Sequence, residues 1–297
     1  MADAPGAAGW RIIGQSVIGA AHIRNGLPNQ DAIGWQPQPA PPFSLVVSDG
    51  HGGNRNFRSD TGSRLAVETA LGVSQEFIKG NSGGTLSAAK RAAEERLPQQ
   101  LSRRWEEAVR AHLAAQPYSD AELKILLKKD AVPNLLPSDF NPLVGYGATQ
   151  LIVLVCDDFI LYVQLGDGDI VTVSASGTAT RPLPPDERLF ANETTSLCAP
   201  AAWKDFRVRF QPVIDEKPAL IVVSTDGYSN SFLDDAGFMK VGPDIATLIR
   251  TDGIETVDTS LRDWLSEASK SGSGDDVTIG CICNMALLGP AGAAEKG

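Results

Sequence analysis

The chain has no apolar run approaching the ~20 residues that a membrane-spanning helix needs, so no membrane span is expected. Its first residues, MADAPGAAGW, have neither the basic nor the apolar region of a secretory signal. Four cysteines (156, 198, 281 and 283) form no CxxC pair and no zinc-ligand spacing with histidine. Without a secretion signal or a disulfide framework, the expected compartment is the cytoplasm. Positive charge is also in short supply. Lys and Arg number 26 against 36 Asp and Glu, giving a net charge of −10 and a pI near 4.8. Nucleic acid, which demands a positive footprint, is therefore a poor partner. There is no solenoid-type repeat and no long linker dividing the chain.

What is present is ordinary for a water-soluble domain: 297 residues, 42% hydrophobic and 21% charged. A single domain is expected over 9–285, with frayed Ala/Gly/Pro-rich ends at 1–8 and 286–297. Segments rich in Val, Ile and Leu, bounded by Gly, Pro or Asp, read as strands at 10–18, 43–48, 150–156, 159–165, 169–174, 205–210, 219–224 and 277–283. LIVLVCDDFILYVQL is the clearest hairpin, with Asp157-Asp158 at its turn. Cys281 and Cys283, two apart on a strand, share one face and read as core.

Ala-rich helices are expected over 62–79 and 85–97. Beyond Pro98, a stripe of Leu101, Trp105, Val109 and Leu113 follows. SDAE at 119–122 has the form of a capping box. Val257, Leu261, Trp264, Leu265 and Ala268 make a last stripe. The helical segment 85–130 leaves room for a docking insertion. Trp105 and Trp264 read as core anchors, His112 as packing, and Tyr146 and Thr149 as structural. The order of elements suggests layered architecture with largely antiparallel sheets.

Two phrases repeat. LVVSDG (45–50) and IVVSTDG (221–227) are β-branched runs ending in Asp-Gly. QLGDGD (164–169) ends the hairpin in the same way, and SGSGDDVTIGCI (271–282) reverses the order. NQDAIGW (29–35) adds Asp31. One Asp-Gly is an ordinary turn; several at strand ends are not. Clustered carboxylates cannot all stay ionised, and a hard divalent cation such as Mg²⁺ or Mn²⁺, which prefers oxygen, removes that difficulty. Two such ions would bring the formal charge from −10 to −6. An EF-hand is excluded, since DGDIVTVSASGT has Thr172 where glycine belongs and Thr178 where glutamate belongs.

In order, NQDA, VVSDGHGG, GYGATQLIVLV, VQLGDGDI, VVSTDGYSN and SGSGDDVTI run from residue 29 to 279, within a resemblance over 19–283. Together they resemble the metal-dependent protein phosphatases of the 2C type, bacterial serine/threonine phosphatases among them. The resemblance implies an α+β fold, a four-layer αββα sandwich of two mainly antiparallel sheets flanked by helices. It implies two Mn²⁺ or Mg²⁺ ions at one end, with a third in some bacterial members. Position by position, Asp49 would bridge both ions and Gly50 would bind one through its carbonyl. Asp226 and Asp275 would complete the first ion's shell, Asp31 would hold metal-bound water, and Asp167 would serve the third site.

The chain departs from the family in two places. Asn29-Gln30-Asp31 stands where the family reads Asn-Glu-Asp. Gly26 occupies the usual place of the phosphate-binding arginine, for which Arg24, or alternatively His22, would substitute. The loop 181–203 falls where the family has its flap.

The chemistry implied is hydrolysis of phosphoserine and phosphothreonine by in-line attack of metal-activated water. His51, two residues past Asp49, is the candidate donor of a proton to the leaving oxygen. A phosphorylated protein, a cognate serine/threonine kinase and a monomeric state are the expected partners and assembly. Two other readings remain at this stage: a pseudophosphatase adaptor, favoured by Gln30 and the displaced arginine, and a hydrolase of small phosphate esters.

Overall fold

The computed structural model describes residues 9–36, 40–127, 140–186, 194–214 and 216–289. Its strands are β1 (Trp10–Val17), β2 (Ala32–Trp35), β3 (Phe43–Ser48), β4 (Gln150–Val155), β5 (Phe159–Leu165), β6 (Asp169–Val173), β7 (Ala179–Thr180), β8 (Arg207–Pro212), β9 (Leu220–Ser224) and β10 (Val277–Asn284). The helices are α1 (Ala20–Asn25), α2 (Ser59–Asn81), α3 (Leu86–Glu95), α4 (Leu97–Ala115), α5 (Asp120–Leu127), α6 (Asp226–Ser229), α7 (Asp235–Met239), α8 (Val241–Asp252), α9 (Ile254–Ser271) and α10 (Met285–Leu288). No helix among the described residues is long and apolar enough to cross a membrane.

Why the strands read as unbroken apolar runs is clear from β3, whose six residues are all buried. Leu45 and Val47 enter a core shared with Ile221, Val223 and Ile282 of the other sheet. Val46, between them, points the opposite way, into a core with Ile152 and Leu154 under the helices. A strand covered on both faces has no polar side to alternate with. The two sheets, ordered β1-β10-β9-β6-β7 and β2-β3-β4-β5-β8, are antiparallel throughout. Residues of α2, α3 and α4 (Ala66, Phe77, Ala92, Leu101, Trp105) close the outer face of the second sheet. Those of α8 and α9 (Ile245, Ile249, Val257, Leu261, Leu265) close the first. This is the four-layer αββα sandwich that the sequence resemblance implied.

The helices over 86–115 are an integral layer. Trp105 is fully buried, and its indole N–H donates to the Gly62 carbonyl at 3.0 Å. The capping box forms as expected: the Ser119 amide donates to Glu122 Oε2 at 2.8 Å, and the Glu122 amide donates to Ser119 Oγ at 3.3 Å. His112 packs edge-on against Tyr146, and Cys281 and Cys283 are core.

Several expectations change. Trp264 is not a core anchor: it sits at the rim of its stripe, 39% exposed. The chain does not fray at 286, because Leu288 in α10 is buried; residues 1–8 and 290–297 lie outside the described residues, as do 128–130 of the helical segment. The eighth strand begins at Arg207 rather than at 205. Seven of the strands and helices went unanticipated: α1, β2, β7, α6, α7 and α10 are too short to show a period, and α8 carries Gly242 and Pro243 in its first turn. There Pro is tolerated, and a Cβ on Gly242 would come within 2.7 Å of Val173 Cγ2, so the glycine lets the helix lie close on the sheet.

Candidate metal centre

Antiparallel pairing decides where the acidic loops go. Val17 pairs with Val277, Ile279 with Ser224, and Ser224 with Asp169 in one sheet. Ala32 pairs with Ser48, Val47 with Leu151, and Gln150 with Leu165 in the other. The end of β3, the β5–β6 turn, the end of β9 and the starts of β2 and β10 therefore lie at one end of the sandwich. Asp49, Asp167, Asp226, Asp31 and Asp275 occupy those positions.

The Asp49 loop is fixed by its neighbour strand. The Asp49 amide donates to Thr149 Oγ1 at 3.0 Å, and the Thr149 amide donates back to the Asp49 carbonyl at 2.8 Å. Thr149 thus has the structural role expected of it. Gly50 follows in so tight a space that a Cβ would stand 2.5 Å from the Gln30 carbonyl oxygen and 2.6 Å from that of Ser59. Only glycine lets the backbone pass there. The His51 amide then donates to the Gly147 carbonyl at 3.1 Å.

Carboxylate oxygens of Asp49, Asp167 and Asp226 all lie within 4.8 Å of one another. Burial first, and then the charges of the carboxylates Asp31, Asp226 and Asp167, hold the Asp49 pKa well above the usual range. Asp226, which accepts from Asn230 Nδ2 at 3.0 Å, is likewise raised, first by burial and then by Asp167. Asp31 is pushed up to about 8, chiefly by burial, although Oδ2 accepts from the hydroxyls of Thr225 at 2.8 Å and Thr278 at 2.7 Å. Those threonines belong to the opposite sheet, so Asp31 joins the two. An oxygen-only, mutually repelling, partly buried donor set beside a glycine backbone fits a hard divalent cation.

The His51 ring has its pKa lowered by burial, which the neighbouring Asp167 partly offsets. Its Nε2 is buried without a hydrogen-bond partner.

Asp275 lies beside the Asp49 group, close enough for its charge to act on Asp226 and Asp31, but outside the trio of oxygens within 4.8 Å. Its side chain, 55% exposed, faces His22 Nε2 at 3.6 Å, while His22 Nδ1 lies 2.9 Å from Asp276 Oδ2. Asp276 is nearly fully buried and accepts from the amides of Gly19 and Gln30, each at 2.6 Å. His22 is turned inward to these carboxylates. Arg24, two residues on and so about 200° around the helix, is exposed. Gly26 ends α1 in a left-handed conformation, φ 67°.

Sequence reasoning missed Arg55, four residues past His51. Its Nε is buried without a partner, and its charge reaches Cys198. Cys198 and His51 both crowd Gly147: a Cβ there would meet His51 Cδ2 at 2.7 Å and Cys198 Sγ at 3.2 Å. The flap-like loop is described only outside 187–193. Its first residues, with Arg181 and Arg207, line a cavity of about 330 Å³ that adjoins Asp167.

A sequence profile described as Protein phosphatase 2C matches residues 18–266. Serine/threonine-protein phosphatase 3 of Escherichia coli (strain K12) is 27% identical over 189 residues, covering 62% of this chain. The chain spans 61% of that relative's length. Among solved structures, the catalytic domain of the serine/threonine protein phosphatase PstP in complex with two manganese ions aligns with a TM-score of 0.56 and 17% identity, covering 93% of this chain and 98% of that one. A sex-determining protein of C. elegans aligns with a TM-score of 0.58 and 16% identity, covering 95% of this chain and 65% of that one. At such identities the likeness is one of fold.

Proposed function

The chain belongs to the protein phosphatase 2C family, and we propose that it is a metal-dependent phosphatase of phosphoserine and phosphothreonine in proteins. The observation that carries this reading is the set of uncompensated carboxylates, Asp49, Asp167 and Asp226, gathered at one end of the sandwich. An adaptor has no use for so unfavourable a cluster. In this reading two Mn²⁺ or Mg²⁺ ions would be held by Asp49 together with the Gly50 carbonyl, Asp226 and Asp275, while Asp31 would orient water and Asp167 would serve a third ion. Bound there, divalent cations supply neutralisation of the phosphoryl oxygens and acidify water for attack on phosphorus.

The chain's own residues do the rest. Thr149 fixes the Asp49 backbone, and Thr225 and Thr278 fix Asp31. Beside Asp167, whose charge favours the imidazolium, the protonated His51 ring hydrogen-bonds the leaving serine or threonine oxygen, delivers its proton and is left as neutral imidazole. The cationic contact to phosphate, which the resemblance puts on Arg24, passes to Arg55. A guanidinium with an unused donor suits a phosphate oxygen. The substrate is a phosphorylated protein, and a cognate serine/threonine kinase is the partner that supplies it.

The test is phosphate release from a phosphothreonine peptide. Release is expected with Mn²⁺, is lost on chelation and in Asp49→Asn, and shows a raised KM in Arg55→Ala but not in Arg24→Ala. No release from folded, Mn²⁺-loaded protein would refute the reading.

A further inference from the structure

Residues 51–58, which carry His51 and Arg55, are turn and loop, and they are fastened along their length to one segment, 144–147, just before β4. The His51 amide donates to the Gly147 carbonyl at 3.1 Å, Asn56 Nδ2 to the Val144 carbonyl at 2.6 Å, and the Arg58 amide to the Gly145 carbonyl at 2.8 Å. From the start of α2 the Arg58 side chain then reaches α5. Its Nε donates to Glu122 Oε1 at 2.8 Å and Nη2 to Oε2 at 3.0 Å, a two-pronged ion pair. Nη1 donates to the Gln116 carbonyl at 2.6 Å and to Tyr146 Oη at 2.8 Å, and Nη2 to the Pro117 carbonyl at 3.2 Å. All five guanidinium N–H groups are thereby used, and the group lies 4.5 Å from the centroid of the Tyr118 ring. Tyr146, fully buried, belongs to the segment on which the loop is fastened.

We propose that Arg58 and Glu122 are positioning residues for the phosphatase reaction: together they hold the loop 51–58 on 144–147, so that Arg55 and His51 keep their places at the metal centre. This rests on the phosphatase reading given above. A loop without a ladder of its own takes its shape from its tethers, and both tethers of Arg58, its amide and its guanidinium, end on the same segment. Glu122 acts through Arg58. An exposed ion pair would be too weak for this, but these side chains are only 15% and 25% exposed. Breaking such a pair leaves the other charge uncompensated, so the guanidinium must move, and the loop with it. A shift of about 1 Å in a group that contacts substrate can cost about 10²-fold in rate. The start of α5 thereby has a part in the chemistry without meeting the substrate.

Glu122→Gln isolates the ion pair. Glutamine keeps the length and still serves a capping box, so α5 keeps its start while the charge is lost. On a phosphothreonine peptide with saturating Mn²⁺, this variant is expected to raise KM and to lower kcat/KM by up to about 10²-fold. In an Arg55→Ala background it is expected to raise KM no further. Arg58→Lys, which keeps the charge without the fork, should behave in the same way. Ser119→Ala, which weakens the cap and leaves the ion pair, should not move KM. Amide hydrogen exchange is measured in parallel, whether or not the protein turns over. The His51 and Arg58 amides should exchange faster in Glu122→Gln, with β10 unaltered. That pattern in a protein whose wild type is inactive would support the tether and refute the phosphatase reading. Unaltered exchange at 51–58, equal effects of Ser119→Ala and Glu122→Gln, or KM increases that add to that of Arg55→Ala would each overturn the proposal.

Discussion

At the scale of the residue, the site turns on what His51 does. A serine or threonine alkoxide leaves poorly without a proton, whereas p-nitrophenolate needs none. If His51 is the proton donor, His51→Ala lowers kcat on a phosphothreonine peptide by about 10²–10⁴ and changes kcat on p-nitrophenyl phosphate far less. Equal losses on both substrates would make the ring a positioning group. The role proposed for Asp49 was legible in the sequence, because a carboxylate followed by glycine at the end of an apolar strand, and repeated elsewhere, has few other uses. Those of Arg55 and Asp276 were not. An arginine in a polar loop looks solvated until its buried Nε is seen to lack a partner. The second aspartate of the Asp275-Asp276 pair looks redundant until the Gly19 and Gln30 amides are found on it. The doublet itself was the available signal.

Elements were legible where burial on both faces wrote a continuous apolar run, as in β3, β4, β5 and β10. They were illegible where tertiary packing overrode local preference. β2 is four half-buried residues with Gly34 at its centre, and a Cβ there would come within 2.7 Å of Val67 Cγ1. The α4 stripe shows how far a pattern can be trusted. Leu101, Trp105 and Val109 are all fully buried against α2 and the second sheet. Trp105→Ala removes the largest of them together with the bond to Gly62, and is expected to cost about 3–5 kcal/mol, measured by denaturant unfolding. A cost below ~1 kcal/mol would mean that 86–115 is an accessory layer after all.

At the scale of the whole molecule, the carboxylates couple stability to pH and metal. Asp31, raised to about 8, and Asp49, Asp226 and Asp276, also raised mainly by burial, bind protons more tightly in the folded chain than when unfolded. Over about pH 4 to 8 the native state binds the more protons, so metal-free stability is greatest at the acid end of that window and falls as pH rises. Differential scanning calorimetry of chelated protein should therefore give a lower Tm at pH 8 than at pH 6. Mn²⁺, which displaces those protons, should raise Tm more at pH 8. A metal-free Tm that climbs over this range would contradict the electrostatics.

The central claim is that oxygen donors scattered from Asp31 to Asp275 converge to hold hard cations. Anomalous diffraction at the manganese edge from crystals grown with Mn²⁺ tests it most directly. The expected result is strong density within bonding distance of Asp49, Asp167 or Asp226, absent in Asp49→Asn. Manganese found only elsewhere on the molecule, with those side chains unliganded, would contradict the account.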